Sequence, residues 1–130
     1  MNLLGFFKHA QTIKTCRAGE TIFVEGQPRD VMYVVLEGEV DIQKHGASIY
    51  TAGPGELVGE MAMIDAQGRS ASAVALSPCR LAVVNETQFV FMIHETPNFA
   101  LYVMRVLVER LRRQNMTPLK ASQTQSDAAA

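Results

Sequence analysis

Residues 17–42, RAGETIFVEGQPRDVMYVVLEGEVDI, carry the pattern that decides the fold. β-branched, aromatic and other apolar residues fill the runs ETIFVEG and VMYVVLEGEVDI, and the turn-forming residues Gly26, Gln27 and Pro28 lie between them. Short apolar runs separated by glycine and proline are typical of antiparallel strands. Gly38 interrupts an otherwise continuous strand, so we predict a bulge or a corner there.

The same pattern continues on both sides of this stretch. TIKTCR precedes it, and ASIYTAG, SASAVALS and CRLAVVN follow it, with turn residues such as Gly53-Pro54-Gly55 and Ser77-Pro78 between the runs. Six or more strands with a turn roughly every ten residues are typical of an antiparallel sandwich or a small barrel. We therefore predict a mainly β fold of the jelly-roll kind, a double-stranded β-helix, with flanking helices.

Helical patterns flank the predicted strands. The first ten residues are predicted to form a short amphipathic helix, and Asn85, with Gln88 three positions later, has the form of a capping box that opens ETQFVFMIHE. Pro97 begins a last helix that we predict to end near Asn115. The apolar residues of this helix cover more surface than packing on one core requires, which favours a homodimer through it.

Length and composition limit the function further. The 130 residues fit one domain, predicted over residues 1–116, with a disordered tail over residues 117–130. A net charge of −1 provides no field that attracts polyanions, so we predict no direct nucleic-acid partner. The chain has no run apolar enough to span a membrane and no metal-ligand spacing. Two cysteines favour free thiols in the cytoplasm.

The loop GEMAMIDAQGRSA, residues 59–71, combines groups that suit a phosphorylated ligand. Gly59 and Glu60 are predicted to begin a helical turn, EMAMI, whose N-terminal N–H groups attract anions, and glycine lets an anion approach the backbone. Arg69 offers a fork of donors for two phosphate oxygens, and Ser70 adds a hydroxyl. Glu60 would repel phosphate but suits a ribose hydroxyl beside it. The alternative is that Glu60 and Arg69 form a solvated ion pair.

This loop, in PGELVGEMAMIDAQGRSASAVA, resembles the phosphate-binding cassette of the cyclic nucleotide-binding domains, and residues 17–42 resemble the opening strands of that family. The resemblance runs from about Leu3 to Asn115. It implies that Glu60 receives the ribose 2′-hydroxyl and that Arg69 pairs with the cyclic phosphate. It also implies that backbone N–H groups of Glu60, Met61, Ser70 and Ala71 contribute.

Two positions depart from the family pattern. Gly68 stands where proline is frequent before the arginine, and Val58 stands where an aromatic residue is frequent. We expect glycine to leave the loop more mobile before a ligand binds, which lowers affinity without changing the class of ligand. The predicted ligand is a cyclic purine nucleotide, in particular cAMP with cGMP as the alternative, and no chemistry on it is expected.

The family resemblance also implies how the signal leaves the domain. The last helix moves over the pocket, and an effector senses that movement. A winged helix-turn-helix needs about 60 further residues, so we expect the output to lie in dimerisation or in a separate effector protein. Base recognition is expected at Val58, Ala73, Gln114 and Asn115, although the two amides are alternatively residues that end the helix.

Two other classes of function stay open. One is an interaction or scaffold module with an unused pocket, whose working surface is the apolar last helix. The other is a jelly-roll metal oxygenase, which the absence of a His-x-His or paired His and carboxylate pattern disfavours.

Overall fold

The computed structural model describes residues 3–7, 10, 12–28, 30–60 and 68–122, with the backbone alone at residue 6 and residues 113–122. This part of the chain contains eight strands and three helices. The strands are β1 Ile13–Cys16, β2 Thr21–Phe23, β3 Val31–Glu37, β4 Val40–Lys44, β5 Ala47–Ala52, β6 Leu57–Val58, β7 Ser72–Ala75 and β8 Cys79–Asn85. The helices are α1 Leu3–Phe7, α2 Glu86–Glu95 and α3 Pro97–Ser122.

The strands form two four-stranded sheets, and every strand pair is antiparallel. The order in the first sheet is β1-β8-β3-β6, and the order in the second is β2-β7-β4-β5. Buried residues of both sheets belong to one apolar cluster, which includes Val35 and Leu81 of the first sheet and Ile42 and Ala73 of the second. The prediction of a mainly β jelly-roll fold is therefore confirmed.

Gly38 is the corner at which the chain passes from the first sheet to the second. β3 and β4 lie on either side of it, in different sheets. Its φ is +90°, and a Cβ there would lie 2.3 Å from the Pro78 carbonyl oxygen and 2.8 Å from Cys79 Sγ. Both the backbone conformation and the close approach therefore require glycine, as the sequence predicted.

Asn85, the last residue of β8, forms the predicted capping box with Gln88. The Gln88 N–H donates to Asn85 Oδ1 at 2.8 Å, and the Asn85 N–H donates to Gln88 Oε1 at 2.9 Å. These two bonds satisfy backbone donors that lack partners at the start of a helix, and α2 begins at Glu86 accordingly.

The predicted end of the last helix near Asn115 is wrong, because α3 continues to Ser122. The prediction followed apolar periodicity, which fades after Leu111. Once a helix has formed, good helix formers such as Leu119 and Ala121 extend it without an apolar stripe. The chain divides into two compact units, Met1–Phe91 and Met92–Ala130, and the predicted domain boundary at 116 stays a prediction.

None of the helices in the described residues is both long and apolar enough to cross a bilayer. Cys16 and Cys79 are free and buried thiols, as predicted. The cytoplasmic location stays a prediction.

Candidate functional site

The site is centred on Arg69, whose side chain is buried with 6% of its surface exposed. A buried guanidinium is costly unless its donors and its charge are compensated. Nη2 donates to the Val31 carbonyl oxygen at 2.9 Å, and Nη1 lies 3.4 Å from the Gly59 carbonyl oxygen. Cζ lies over the ring of Phe23, 4.1 Å from its centroid. The charge is therefore held by two carbonyl groups and an aromatic face.

The backbone of Arg69 is fixed by the turn that follows β2. The Arg69 N–H donates to the Gln27 carbonyl at 2.7 Å, and the Gly26 N–H donates to the Arg69 carbonyl at 2.8 Å. The turn itself is closed by a bond from the Val24 N–H to Gln27 Oε1 and is tied to β7 by a bond from the Glu25 N–H to Ser72 Oγ, both at 2.8 Å. The backbone of Arg69 is thus hydrogen-bonded to a turn of the second sheet, and further hydrogen bonds hold that turn in place.

Gly68 lies against the same turn. A Cβ at this position would be 2.7 Å from the Gly26 carbonyl oxygen and 3.0 Å from the Gln27 carbonyl oxygen. Those atoms belong to the backbone and cannot move aside as a flexible side chain does. Glycine therefore permits the close approach that forms the two bonds to Arg69, which is a different reason for its presence from the mobility that the sequence led us to expect.

Gly59 and Glu60 lie at the end of β6. Gly59 has a φ of +74°, and a Cβ there would lie 2.6 Å from Arg69 Nη1 and 3.3 Å from the Phe23 ring. Glu60 is 4% exposed. Since both Glu60 and Arg69 are buried, a solvated ion pair does not describe them, and the structure favours a built site.

The remaining predicted phosphate residues are placed as follows. Ser70 is exposed, and Ala71, directly before β7, is 9% exposed. Met61 and the rest of the predicted helical turn lie outside the described residues. The structure therefore brings Gly59 and Arg69 together, and Ser70 and Ala71 follow Arg69 directly in the chain.

The residues predicted to contact the base fall into two groups. Val58 is the cross-strand partner of Tyr33 in the first sheet, and Ala73 is the partner of Phe23 in the second. Both are fully buried at 0% exposure and line the aromatic pair, so neither presents its side chain to solvent. Gln114 and Asn115 lie within α3, so the alternative that they end the helix is wrong, and their side chains lie outside the described residues.

Sequence reasoning missed Phe23, Tyr33 and the Val31 carbonyl. The rings of Phe23 and Tyr33 stack with centroids 6.2 Å apart and planes 14° apart, and Tyr33 lies 6.0 Å from Arg69 Cζ. Phe23 is an apolar residue of β2, which favours a place in the core, but no local signal connects it with an arginine far along the chain. No group of three or more His, Cys, Asp or Glu side chains within the described ranges is arranged to hold a metal ion.

A jelly roll that buries an arginine against Gly59, with the buried Glu60 next in the chain, has the features of a ligand-binding β domain. Residues 13–96 match the cyclic nucleotide-binding domain, which is more than half of the chain. The chain therefore belongs to the cyclic nucleotide-binding domain family, as the cassette and the opening strands indicated.

Similar proteins include regulators and a domain of an enzyme. The CRP-like cAMP-activated global transcriptional regulator of Mycobacterium tuberculosis is 29% identical over 102 residues, which cover 75% of this chain and 46% of the regulator. The catabolite activator protein of Thermus thermophilus superposes with a TM-score of 0.76 at 29% identity, over 92% of this chain and 56% of that one. The chain thus spans about half the length of these relatives.

The EAL enzyme Bd1971 is similar in two forms. Its cAMP-bound form has a TM-score of 0.61 at 34% identity, over 85% of this chain and 31% of the enzyme. Its cGMP-bound form has a TM-score of 0.62 at 35% identity, over 84% and 30%. The domain common to these proteins is a binding module, and it occurs both in regulators and in an EAL enzyme.

Proposed function

We propose that this chain binds a cyclic purine nucleotide, in particular cAMP, as a regulatory sensor, and that it carries out no reaction on the nucleotide. The observation that carries the proposal is the buried Arg69, fixed at the corner where the two sheets meet and adjacent to Gly59 and Glu60. A buried guanidinium in such a position is a candidate for binding the anion of a ligand. The family to which residues 13–96 belong supports the same conclusion.

Each group of the proposed site has a separate task. Arg69 donates to two oxygens of the cyclic phosphate, and Ser70 with the backbone N–H of Ala71 donates to the same group. Glu60 accepts a hydrogen bond from the ribose 2′-hydroxyl. A cyclic phosphate carries one negative charge, so a single arginine balances it.

Similar proteins support cAMP and keep cGMP as the alternative. Two of the relatives described above are named for cAMP or as a catabolite activator protein, whereas Bd1971 has both a cAMP-bound and a cGMP-bound form. Calorimetric titration with cAMP, cGMP and non-cyclic 5′-AMP tests the proposal. We expect cAMP to bind more tightly than cGMP and 5′-AMP to bind weakly, because its phosphate carries a second charge and lacks the ring geometry.

Arg69→Ala tests the phosphate assignment. We expect it to weaken cAMP binding by about 3 kcal/mol, over a hundredfold, since a hydrogen-bonded charge pair loses one partner. Arg80→Ala is the matched control, because Arg80 is half exposed and pairs with Glu37 at the surface at 2.7 Å. Equal loss in both variants, or no loss in Arg69→Ala, would contradict the assignment.

The ribose assignment is tested with the ligand. We expect 2′-deoxy-cAMP to bind ~1.5–3 kcal/mol more weakly than cAMP, the cost of a lost hydrogen bond to a charged group. In Glu60→Gln the difference between the two ligands should shrink. Undiminished binding of the deoxy ligand by the wild-type chain would remove Glu60 from this role.

We also propose that the signal leaves through α3, which forms a homodimer or meets a separate effector. Leu101, Met104, Val108 and Leu111 are 43–58% exposed and follow one another at spacings of three, four and three residues. This spacing is the seam of a coiled coil, and a second copy of the helix presents the same seam. Buried Phe99 and Val103 lie on another face of the helix.

Sedimentation tests the dimer. A dimer of the 14.3 kDa chain is expected at tens of micromolar, and Leu111→Lys should convert it to a monomer. Leu76→Lys is the control, because Leu76 is similarly exposed at 51% but lies outside α3. A wild-type monomer at that concentration would refute the dimer proposal. A separate effector protein would then be the remaining route for the signal.

Base recognition is proposed to involve Gln114 and Asn115, whose amides suit the donor and acceptor edge of adenine. Gln114→Ala combined with Asn115→Ala should narrow the preference for cAMP over cGMP and leave the effect of Arg69→Ala unchanged. Unchanged discrimination would place base recognition in the strand residues around Ala71 and Ala73.

A second candidate function is an interaction module with an unused pocket, which the exposed apolar seam of α3 favours. The calorimetric titration separates the two. Failure of cAMP and cGMP to bind, together with an intact dimer, would support the interaction module.

A further inference from the structure

We propose that Phe23 is the positioning residue of the phosphate site, because the face of its ring holds the Arg69 guanidinium ready for an anion. This inference rests on the proposed function and adds to it a residue that the phosphate would not touch. Arg69 Cζ lies 4.1 Å from the Phe23 centroid. Attraction of a cation to an aromatic face uses none of the N–H donors of the guanidinium, so these stay directed to oxygen atoms.

The Phe23 ring is itself immobilised. It is 8% exposed, belongs to the apolar cluster between the sheets, and stacks with Tyr33 of the first sheet at 6.2 Å. Its cross-strand partner is Ala73, whose small side chain leaves space for the ring. A ring fixed from both sheets is a rigid support, which is what a positioned binding group needs.

Gly59 and Val31 complete a slot for the guanidinium. A Cβ at Gly59 would lie 2.6 Å from Arg69 Nη1 and 3.3 Å from the Phe23 ring, so glycine makes the space in which the guanidinium and the ring meet. The Val31 carbonyl accepts from Nη2 at 2.9 Å and fixes one end of the fork. The slot therefore explains why glycine precedes Glu60, in addition to any approach of the ligand to the backbone.

The slot matters because a long side chain loses rotamer freedom when it binds. A free arginine would lose that freedom when the phosphate arrives, whereas one already held by Phe23 has lost it on folding. A partly desolvated cation over an aromatic face is worth enough to change an affinity about five- to thirtyfold.

The first experiment changes the charge distribution of the ring and little else. Phenylalanine with one, two or three ring fluorines is incorporated at position 23 alone, and cAMP binding is measured by calorimetry. Fluorine draws electron density from the ring face, so affinity should fall stepwise and reach a loss of about five- to thirtyfold. The same series at Phe89, another buried phenylalanine at 6% exposure, is the control, and it should leave the affinity for cAMP unchanged. A flat series at position 23 would overturn the proposal.

The second experiment needs no nucleotide. Urea unfolding of the wild-type chain, Phe23→Leu, Arg69→Ala and the double variant forms a double-mutant cycle. We expect the effects on the unfolding equilibrium constant to be non-additive by about five- to thirtyfold, since both single variants break the same contact. Additive effects would overturn the contact between the two side chains.

The two experiments separate failure of this inference from failure of the proposed function. If Arg69→Ala abolishes cAMP binding while the fluorine series is flat, the function stands and the role of Phe23 is refuted. If neither cAMP nor cGMP binds the wild-type chain, the proposed function fails and the positioning role fails with it. In that case coupling in the cycle would assign the contact to stability alone.

Discussion

Gly68→Ala tests whether close approach, and not mobility, accounts for the glycine before Arg69. The φ of Gly68 is outside the left-handed region, so alanine can adopt its backbone conformation, and the effect is steric. The added Cβ would lie 2.7 Å from the Gly26 carbonyl oxygen and 3.0 Å from the Gln27 carbonyl oxygen. These are backbone atoms of a hydrogen-bonded turn, so the turn or the segment of Arg69 must shift.

The magnitude follows from two opposing effects. Overpacking of a well-packed site costs about 1–3 kcal/mol, and replacing glycine with alanine recovers about 0.4–1 kcal/mol by restricting the unfolded chain. We therefore expect Gly68→Ala to destabilise the fold by about 1–2 kcal/mol. Because Arg69 exchanges two backbone bonds with Gln27 and Gly26, at 2.7 and 2.8 Å, cAMP affinity should fall as well.

The assay is urea unfolding followed by calorimetric titration. Gly5→Ala is the matched control, because Gly5 lies in α1 with nothing within 4 Å of its added Cβ, and alanine there should stabilise the helix by about 0.5–1 kcal/mol. Gly68→Pro, which restores the residue frequent in the family, places a Cβ at the same point and should not improve affinity. A Gly68→Ala chain as stable as the wild type, with unchanged affinity, would refute the steric argument and restore mobility as the reason for the glycine.

Two further predictions concern the stability of the fold. Asn85→Ala should cost about 1 kcal/mol in urea unfolding, since the Gln88 N–H loses its acceptor at the start of α2; an unchanged midpoint would show that the capping box contributes nothing. Burial, with Glu20 nearby, raises the pKa of the Cys16 thiol above its ordinary value, so the unfolded chain loses this proton at lower pH than the folded chain. Stability should therefore fall as pH rises from ~7 to ~10, and Cys16→Ala should reduce the fall; equal pH dependence in both chains would contradict this.

The sequence by itself determined the elements and most of their limits. Short β-rich runs between turn residues predicted the strands from Ile13–Cys16 to Cys79–Asn85, and the Asn85–Gln88 pair predicted the start of α2. These features are local, because strand period, turn chemistry and capping depend on neighbours within a few positions. Glu60 and Arg69, nine positions apart in one loop, were visible for the same reason.

Tertiary structure decided what surrounds the arginine. The Phe23 ring, the Val31 carbonyl and the Gln27 turn reach Arg69 only because β2, β3 and the start of β7 meet at one corner, and no periodicity in the sequence reports a contact between distant segments. The same holds for Gly68, because the close approach of a neighbouring turn, and not the flexibility of glycine, explains why glycine occupies this position. The end of α3 was missed because helix propagation needs only good helix formers, whereas the prediction required an apolar stripe.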